Sequence, residues 1–162
     1  MDIIIRAMKA DDWNAVQHIY LEGIATGNAT FQTSAPAWSD WDKGHLSICR
    51  LVAEADGEIV GWAALSPVSS RCVYRGVAEV SIYVSDKRRG VGVGAALMGE
   101  LIKTSEKEGI WTLQSGVFPE NRRSLALQRK YDFREVGCRK RLGQLNGVWR
   151  DVLLLERRSS KL

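Results

Sequence analysis

Val80-Ser81-Ile82-Tyr83-Val84-Ser85-Asp86-Lys87-Arg88-Arg89-Gly90-Val91-Gly92-Val93-Gly94-Ala95-Ala96-Leu97 decides the fold. Val80, Ile82 and Val84 alternate as one face of a strand does, and Leu97, Leu101 and Ile102 continue at helical spacing. Between them lie a basic turn and three alternating glycines. A strand that enters a helix through glycines is suited to an anion. The backbone can approach closely, and free N–H groups at the helix start point at the ligand. Lys87, Arg88 and Arg89 add positive charge where a phosphate-rich ligand would lie. A P-loop is disfavoured, because no Lys-Ser or Lys-Thr follows the glycines. A dinucleotide turn is disfavoured too: the glycine spacing is wrong, and Trp111-Thr112-Leu113-Gln114-Ser115 holds no acid for a ribose. A loop without a ligand is the plain alternative, but ordering so many glycines carries an entropic cost.

Outward from this turn, Gly76–Val84 reads as a strand and Gly92–Glu108 as a helix. Trp111–Val117 is the next strand, Asn121–Tyr131 a helix, and Phe133–Arg139 and Val148–Glu156 the closing strands. Val152-Leu153-Leu154-Leu155 implies that the last strand is buried. Towards the N-terminus, Ile3–Arg6 reads as a strand. Ala10-Asp11-Asp12 offers a cap to a helix bearing Trp13, Val16, Ile19 and Tyr20, which Gly27-Asn28 ends. Trp38–Cys49 reads as a weaker helix, and Leu51–Glu54 with Glu58–Leu65 as a hairpin. This order predicts one α/β domain over residues 1–162, with a mixed sheet whose centre is parallel through helical crossovers.

The 162 residues are 45 % hydrophobic and 26 % charged, which excludes collagen-like and disordered classes. No apolar run approaches a membrane span, and Met1–Arg6 lacks the basic start of a secretory signal. Cys49, Cys72 and Cys138 are widely spaced, and His18 and His45 are the only histidines. The expectation is reduced cysteines in a cytoplasmic protein, with no disulfide framework and no metal. The net charge of +4 favours anionic partners without naming one, and no zinc-finger or RNA-binding aromatic motif points to nucleic acid.

Arg89-x-x-Gly92-x-Gly94 resembles the Gln/Arg-x-x-Gly-x-Gly/Ala signature of the GCN5-related N-acetyltransferases (GNAT). Phe118–Phe133 resembles that family's Asn-x-x-Ser-x-x-Leu-Tyr/His-x-x-x-Gly-Phe block, with Asn121 and Ser124 at the matching positions. The resemblance implies a central strand pair that splays apart, with acetyl-CoA as co-substrate. Its pyrophosphate would lie on Arg89, Gly90, Val91, Gly92, Val93, Gly94 and Ala95, and its pantetheine arm along the backbone of Ile82, Tyr83 and Val84. Asn121 and Ser124 would also touch it, although Asn121 serves equally as a plain helix cap.

The resemblance covers nearly the whole chain and looks closest to the phosphinothricin and methionine sulfoximine acetyltransferase branch. Ala29–Thr33, Tyr74–Val84 and Gly147–Val152 carry it. It implies a small amino-acid-like amine acceptor, no membrane or nucleic-acid partner, and a homodimer. An α-amine must lose a proton before it attacks a thioester, and Glu79 is the candidate base, direct or through water. An ion pair of Glu79 with Arg71 or Arg75 is the plain alternative. The Val84 N–H is the implied oxyanion donor. Arg75 is the candidate grip on an acceptor carboxylate or phosphinate, and Phe31 and Tyr74 the candidate walls. Gln128 stands where the family often has Tyr or His. An amide hydrogen-bonds but is no acid, so the general acid has no assigned residue. Acetylation of a protein N-terminus, polyamine or aminoglycoside, and a non-enzymatic CoA sensor, are the competing readings.

Overall fold

The computed structural model describes residues 2–162. Seven strands form one sheet in the order β1-β2-β3-β4-β5-β7-β6. They are β1 (Ile3–Ala7), β2 (Leu51–Ala55), β3 (Glu58–Pro67), β4 (Val77–Val84), β5 (Thr112–Val117), β6 (Arg134–Leu145) and β7 (Val148–Arg158). The helices are α1 (Trp13–Ala25), α2 (Trp38–Gly44), α3 (Val93–Lys107) and α4 (Arg122–Lys130). Only β4 and β5 pair in parallel, joined through α3; every other pairing is antiparallel. The mixed sheet expected from the strand–helix–strand order is present.

Strand alternation divides the core into two layers. On one face Ala63, Leu65, Val80 and Ile82 pack against Val93, Leu97, Met98 and Leu101 of α3 and Leu125 of α4. On the other face Val52, Trp62 and Tyr83 meet Val16, Ile19 and Tyr20 of α1 and Trp41 of α2. The Tyr83 ring stacks on Trp62 at 4.9 Å between centroids and lies 5.0 Å from Tyr20. Gly23 makes this possible: a Cβ there would stand 2.6 Å from Tyr83 Cδ1.

Three expectations shift. Asp12 does not cap α1 with its side chain. Its carboxylate is taken by Arg6, at 2.8 and 2.9 Å, and by the Lys9 N–H. The weaker helix stops at Gly44 rather than Cys49, because Leu46 N–H turns to the Leu65 carbonyl and Arg50 ties the loop through Leu46 O, His45 O and Asp42. β6 continues beyond Arg139 after a bulge in which the Asp151 carboxylate receives the Arg141 N–H, and it closes on Asn146-Gly147, both left-handed as a tight hairpin turn requires. No helix is long and apolar enough to cross a membrane, and no cluster of three or more metal-ligating side chains forms, among the described residues.

Candidate active site

β4 pairs with β5 only from Val77 to Glu79, opposite Thr112 to Gln114. Beyond Glu79 the strands part, while β4 stays on β3 as far as Val84 and β5 stays on β7. Ser85 N–H donates to Val60 O at 2.8 Å. Antiparallel alternation then commits the backbone groups of Ser81 and Tyr83 to β3 and turns those of Val80, Ile82 and Val84 towards the opening. A backbone contact from Tyr83 to a ligand in the opening is therefore not available. Its side chain lines the cleft instead, on the α1 face.

The opening continues into a cleft of about 1020 Å³, at the top of the ~300–1,000 Å³ range of small-molecule pockets. The glycine turn forms one wall. Gly90 and Gly92 have φ of 78° and 94°, conformations that side chains resist. Gly92 caps α3, and Ala96 N–H is bonded to Gly92 O at 3.0 Å. The preceding amides of Val93, Gly94 and Ala95 have no carbonyl within the helix, and all three residues line the cleft. A helix N-terminus of this kind favours negative charge. Arg88 and Arg89 lie on this rim, paired with Asp56 at 3.0 Å and Asp86 at 2.6 Å. Arg122 and Arg123 at the start of α4 line the facing rim.

The N-terminus of α4 closes the same half. Asn121 Oδ1 accepts the Ser124 N–H at 3.2 Å, a true cap, and Nδ2 donates to Asn28 O at 3.1 Å. Gln128 is 5 % exposed; its Nε2 donates to Ser115 Oγ at 2.9 Å and Ser124 Oγ at 3.2 Å. Tyr131 turns away from the cleft, its hydroxyl donating to Ala95 O at 2.7 Å.

The other half lies on the α1 face. Glu79 lines it at the parting point, exposed and in no ion pair among the described residues. Thr30, Phe31, Phe118 and Val152 complete the wall. Phe31 meets Phe118 edge-on at 4.9 Å. Burial, then neighbouring Tyr20, pushes the Tyr83 phenol well above its ordinary value, against a smaller pull from Thr30. The phenol thus stays protonated at neutral pH and is no base there. Arg150 fixes the loop after α1: it donates to Gly27 O at 2.9 Å and Asn28 Oδ1 at 2.8 Å, and lies 4.1 Å over the Phe118 ring. Arg150 received no role from the sequence. It stands inside the Gly147–Val152 block, and its charge beside a buried strand was the available signal.

Three expected site residues lie elsewhere. Val91 is exposed and does not line the cleft. Tyr74 ends the 3-10 turn Cys72–Tyr74 and Arg75 follows it, both exposed on the outer surface, with Arg75 over Trp111 at 5.5 Å and Arg71 over Tyr74 at 5.9 Å. Neither arginine neutralises Glu79, and neither Tyr74 nor Arg75 walls this chain's cleft.

Acetyl-CoA fits the donor half on two grounds of this structure: unpaired amides for phosphate at α3, and an unpaired β4 edge for an amide-bearing arm. Comparison with known proteins agrees. Residues 13–133 match the acetyltransferase (GNAT) family. A phosphinothricin N-acetyltransferase of Alcaligenes faecalis is 31 % identical over 94 % of this chain and 81 % of its own length. An L-methionine sulfoximine/L-methionine sulfone acetyltransferase of Pseudomonas aeruginosa is 25 % identical over 96 % and 94 %. A phosphinothricin acetyltransferase from Sinorhizobium meliloti, solved in complex with acetyl-CoA, superposes with a TM-score of 0.88 at 29 % identity, covering 98 % of this chain and 89 % of that one. With a splayed β4–β5 pair opening onto a glycine turn, and a family match over most of its length, the chain belongs to the GNAT family of N-acetyltransferases.

Proposed function

We propose that the chain transfers the acetyl group of acetyl-CoA to the α-amine of a small amino-acid-like acceptor, such as L-methionine sulfoximine or L-phosphinothricin. The carrying observation is the parting of β4 from β5 at Glu79, which leaves a carboxylate and the free Val84 amide on one cleft. Glu79 takes the ammonium proton, directly or through water, and the neutral amine attacks the thioester carbon. The Val84 N–H receives the developing oxyanion. The turn from Arg89 to Ala95, without Val91, holds the pyrophosphate; Ile82 and Val84 supply backbone partners to the arm; Asn121 and Ser124 face it from α4. Phe31 walls the acceptor. The names of the Alcaligenes and Pseudomonas relatives support this acceptor class.

The reading includes a homodimer. Val136, Leu142, Val148 and Trp149 of the β6–β7 hairpin are exposed, as are Val73 and Tyr74 beside Arg75. Among the described residues, the arginines that line the cleft belong to the turn before α3 and the start of α4, and none lines the acceptor half. A second copy is the proposed route by which Arg75 and Tyr74 reach an acceptor. Unpaired Cys49, Cys72 and Cys138 fit a reducing, cytoplasmic setting.

Thiol release from acetyl-CoA, with and without each acceptor, tests the function. Release that requires the acceptor is expected. Acetyl-CoA binding by calorimetry without release for either acceptor would contradict this substrate class. Release with a peptide N-terminus or polyamine in their place would redirect it. Sedimentation reads the dimer, and Arg75→Ala should raise the acceptor KM alone.

A further inference from the structure

Three arginines sit over indole or phenyl rings in different ways. Arg50 lies over Trp38 and Trp41, and its N–H groups are taken by Asp42, Leu46 O and His45 O. Arg150 lies over Phe118, and its N–H groups are taken by Gly27 O, Asn28 Oδ1 and Glu120. Arg75 lies 5.5 Å over Trp111 but enters no ion pair among the described residues. Its one hydrogen bond, from Nη1 to Cys72 O, is long at 3.4 Å. A ring beneath a guanidinium occupies its face and leaves the in-plane fork of N–H groups open. Arg75 is thus held by its face, while its edge is left for an oxyanion.

The ring that holds it is itself built in from two sides. The indole lies against Gly76, where a Cβ would stand 2.1 Å from Trp111 Cε3 and 2.3 Å from Cδ2 and Cζ3. Only glycine next to Arg75 lets the ring come this close. The N–H groups of Trp111 and Thr112 both donate to Gly76 O, at 2.8 and 3.0 Å. On the far side Trp111 O accepts the Ser159 N–H at 2.8 Å and Arg158 Nη1 at 3.3 Å. Trp111 is therefore tied to the start of β4 and to the segment after β7, and the next residue, Thr112, makes the first rung with Val77. Arg71 has no such base: the ring 5.9 Å beneath it is the exposed Tyr74. We infer that Trp111 is the positioning residue for Arg75, fixing the guanidinium plane so that its N–H fork meets an acceptor anion already oriented. Orienting a long side chain beforehand lowers the entropy lost on binding. This inference rests on the proposed reading in which Arg75 reaches an acceptor through a second copy.

The test is steady-state acetyl transfer to L-phosphinothricin and L-methionine sulfoximine by four variants of the full chain. Trp111→Met fills the space but offers no π face. Its acceptor KM should rise about three- to fivefold, the size of one exposed cation–π contact, with kcat and the KM for acetyl-CoA unmoved. Trp111→Phe should recover most of the loss. In the Arg75→Ala background, Trp111→Met should add nothing further, because the group it orients is gone. An unchanged acceptor KM in folded Trp111→Met overturns the inference. So does an equal rise with and without Arg75, which would make the ring a general support of the fold. If Trp111→Met does not fold, Arg75→Lys takes its place: it keeps the charge and gives up the planar face, and an acceptor KM equal to wild type overturns the inference. The reading beneath it fails separately. If Arg75→Ala leaves the acceptor KM unchanged, Arg75 grips no acceptor and both fall; if Arg75→Ala raises it and Trp111→Met does not, only the role of Trp111 falls. Absence of transfer to either acceptor overturns the acceptor class, and this inference with it.

Discussion

The two halves of the cleft are made of different material. The donor half is backbone: the amides of Val93, Gly94 and Ala95, and the free edge of β4 at Ile82 and Val84. The acceptor half is side chain: Glu79, Phe31, Tyr83 and Phe118, gathered from a strand, a loop and the end of β5 and fastened by Arg150 from β7. Backbone recognition needs only glycine and a helix start, so it imposes a short sequence motif. Side-chain recognition needs a tertiary arrangement and imposes almost none. The backbone half thus suits one fixed chemical shape, and under the proposed function it is the side-chain half that sets acceptor specificity.

Substitutions that separate the halves should separate the kinetic constants. The largest effect is expected from Glu79→Gln, which keeps shape and removes the proposed base. kcat at neutral pH should fall about 10²–10³-fold, while calorimetric affinity for acetyl-CoA stays the same. Arg150→Met comes next. It removes the bonds to Gly27 O and Asn28 that hold the acceptor loop, and about 1–3 kcal/mol of stability should go with them. Urea melts would read that loss, and steady-state kinetics should show the acceptor KM rising more than that of acetyl-CoA. A smaller effect of opposite pattern is expected from Gly92→Ala. Its Cβ meets nothing within 4 Å, so the cost is conformational at φ 94°, about 1–2 kcal/mol. Acetyl-CoA affinity should weaken several-fold, with the acceptor KM little moved.

The smallest effect lies outside both halves. The Arg6 guanidinium, opposed in part by burial, holds the Asp12 carboxyl below its ordinary range. The stability this contributes is complete above the unfolded value of ~3.9 and is lost as pH falls through the lower folded value. Asp12→Asn should flatten the acid limb of unfolding free energy against pH and leave both KM values unchanged. A change in either KM would tie this distant pair to the cleft.

The same division governs what the sequence discloses. Gly90, Gly92 and Gly94 beside three cations were readable as an anion site, because positive φ and close approach demand glycine. The Asn121 cap was readable for a similar local reason. The parity of β4 was not: whether Tyr83 or Val84 presents its backbone to the cleft depends on the register with β3, which local pattern does not contain. That Arg75 and Tyr74 stand outside this chain's own cleft is not legible either, because the 3-10 turn Cys72–Tyr74, not their chemistry, aims their side chains. The extension of β6 was hidden by a bulge at Arg141, although Asn146-Gly147 advertised the hairpin turn that closes it. Gly23 in the last turn of α1 has its reason, the Tyr83 ring, in another element.

Residue-resolved amide exchange with and without acetyl-CoA tests most directly whether the donor half is an unpaired backbone edge. Ile82, Val84, Val93, Gly94 and Ala95 should exchange readily alone and slow on addition of acetyl-CoA, while Tyr83, already bonded to β3, should be slow in both states. Protection that appears at Tyr83 and not at Ile82 or Val84 would contradict the cleft geometry described for β4.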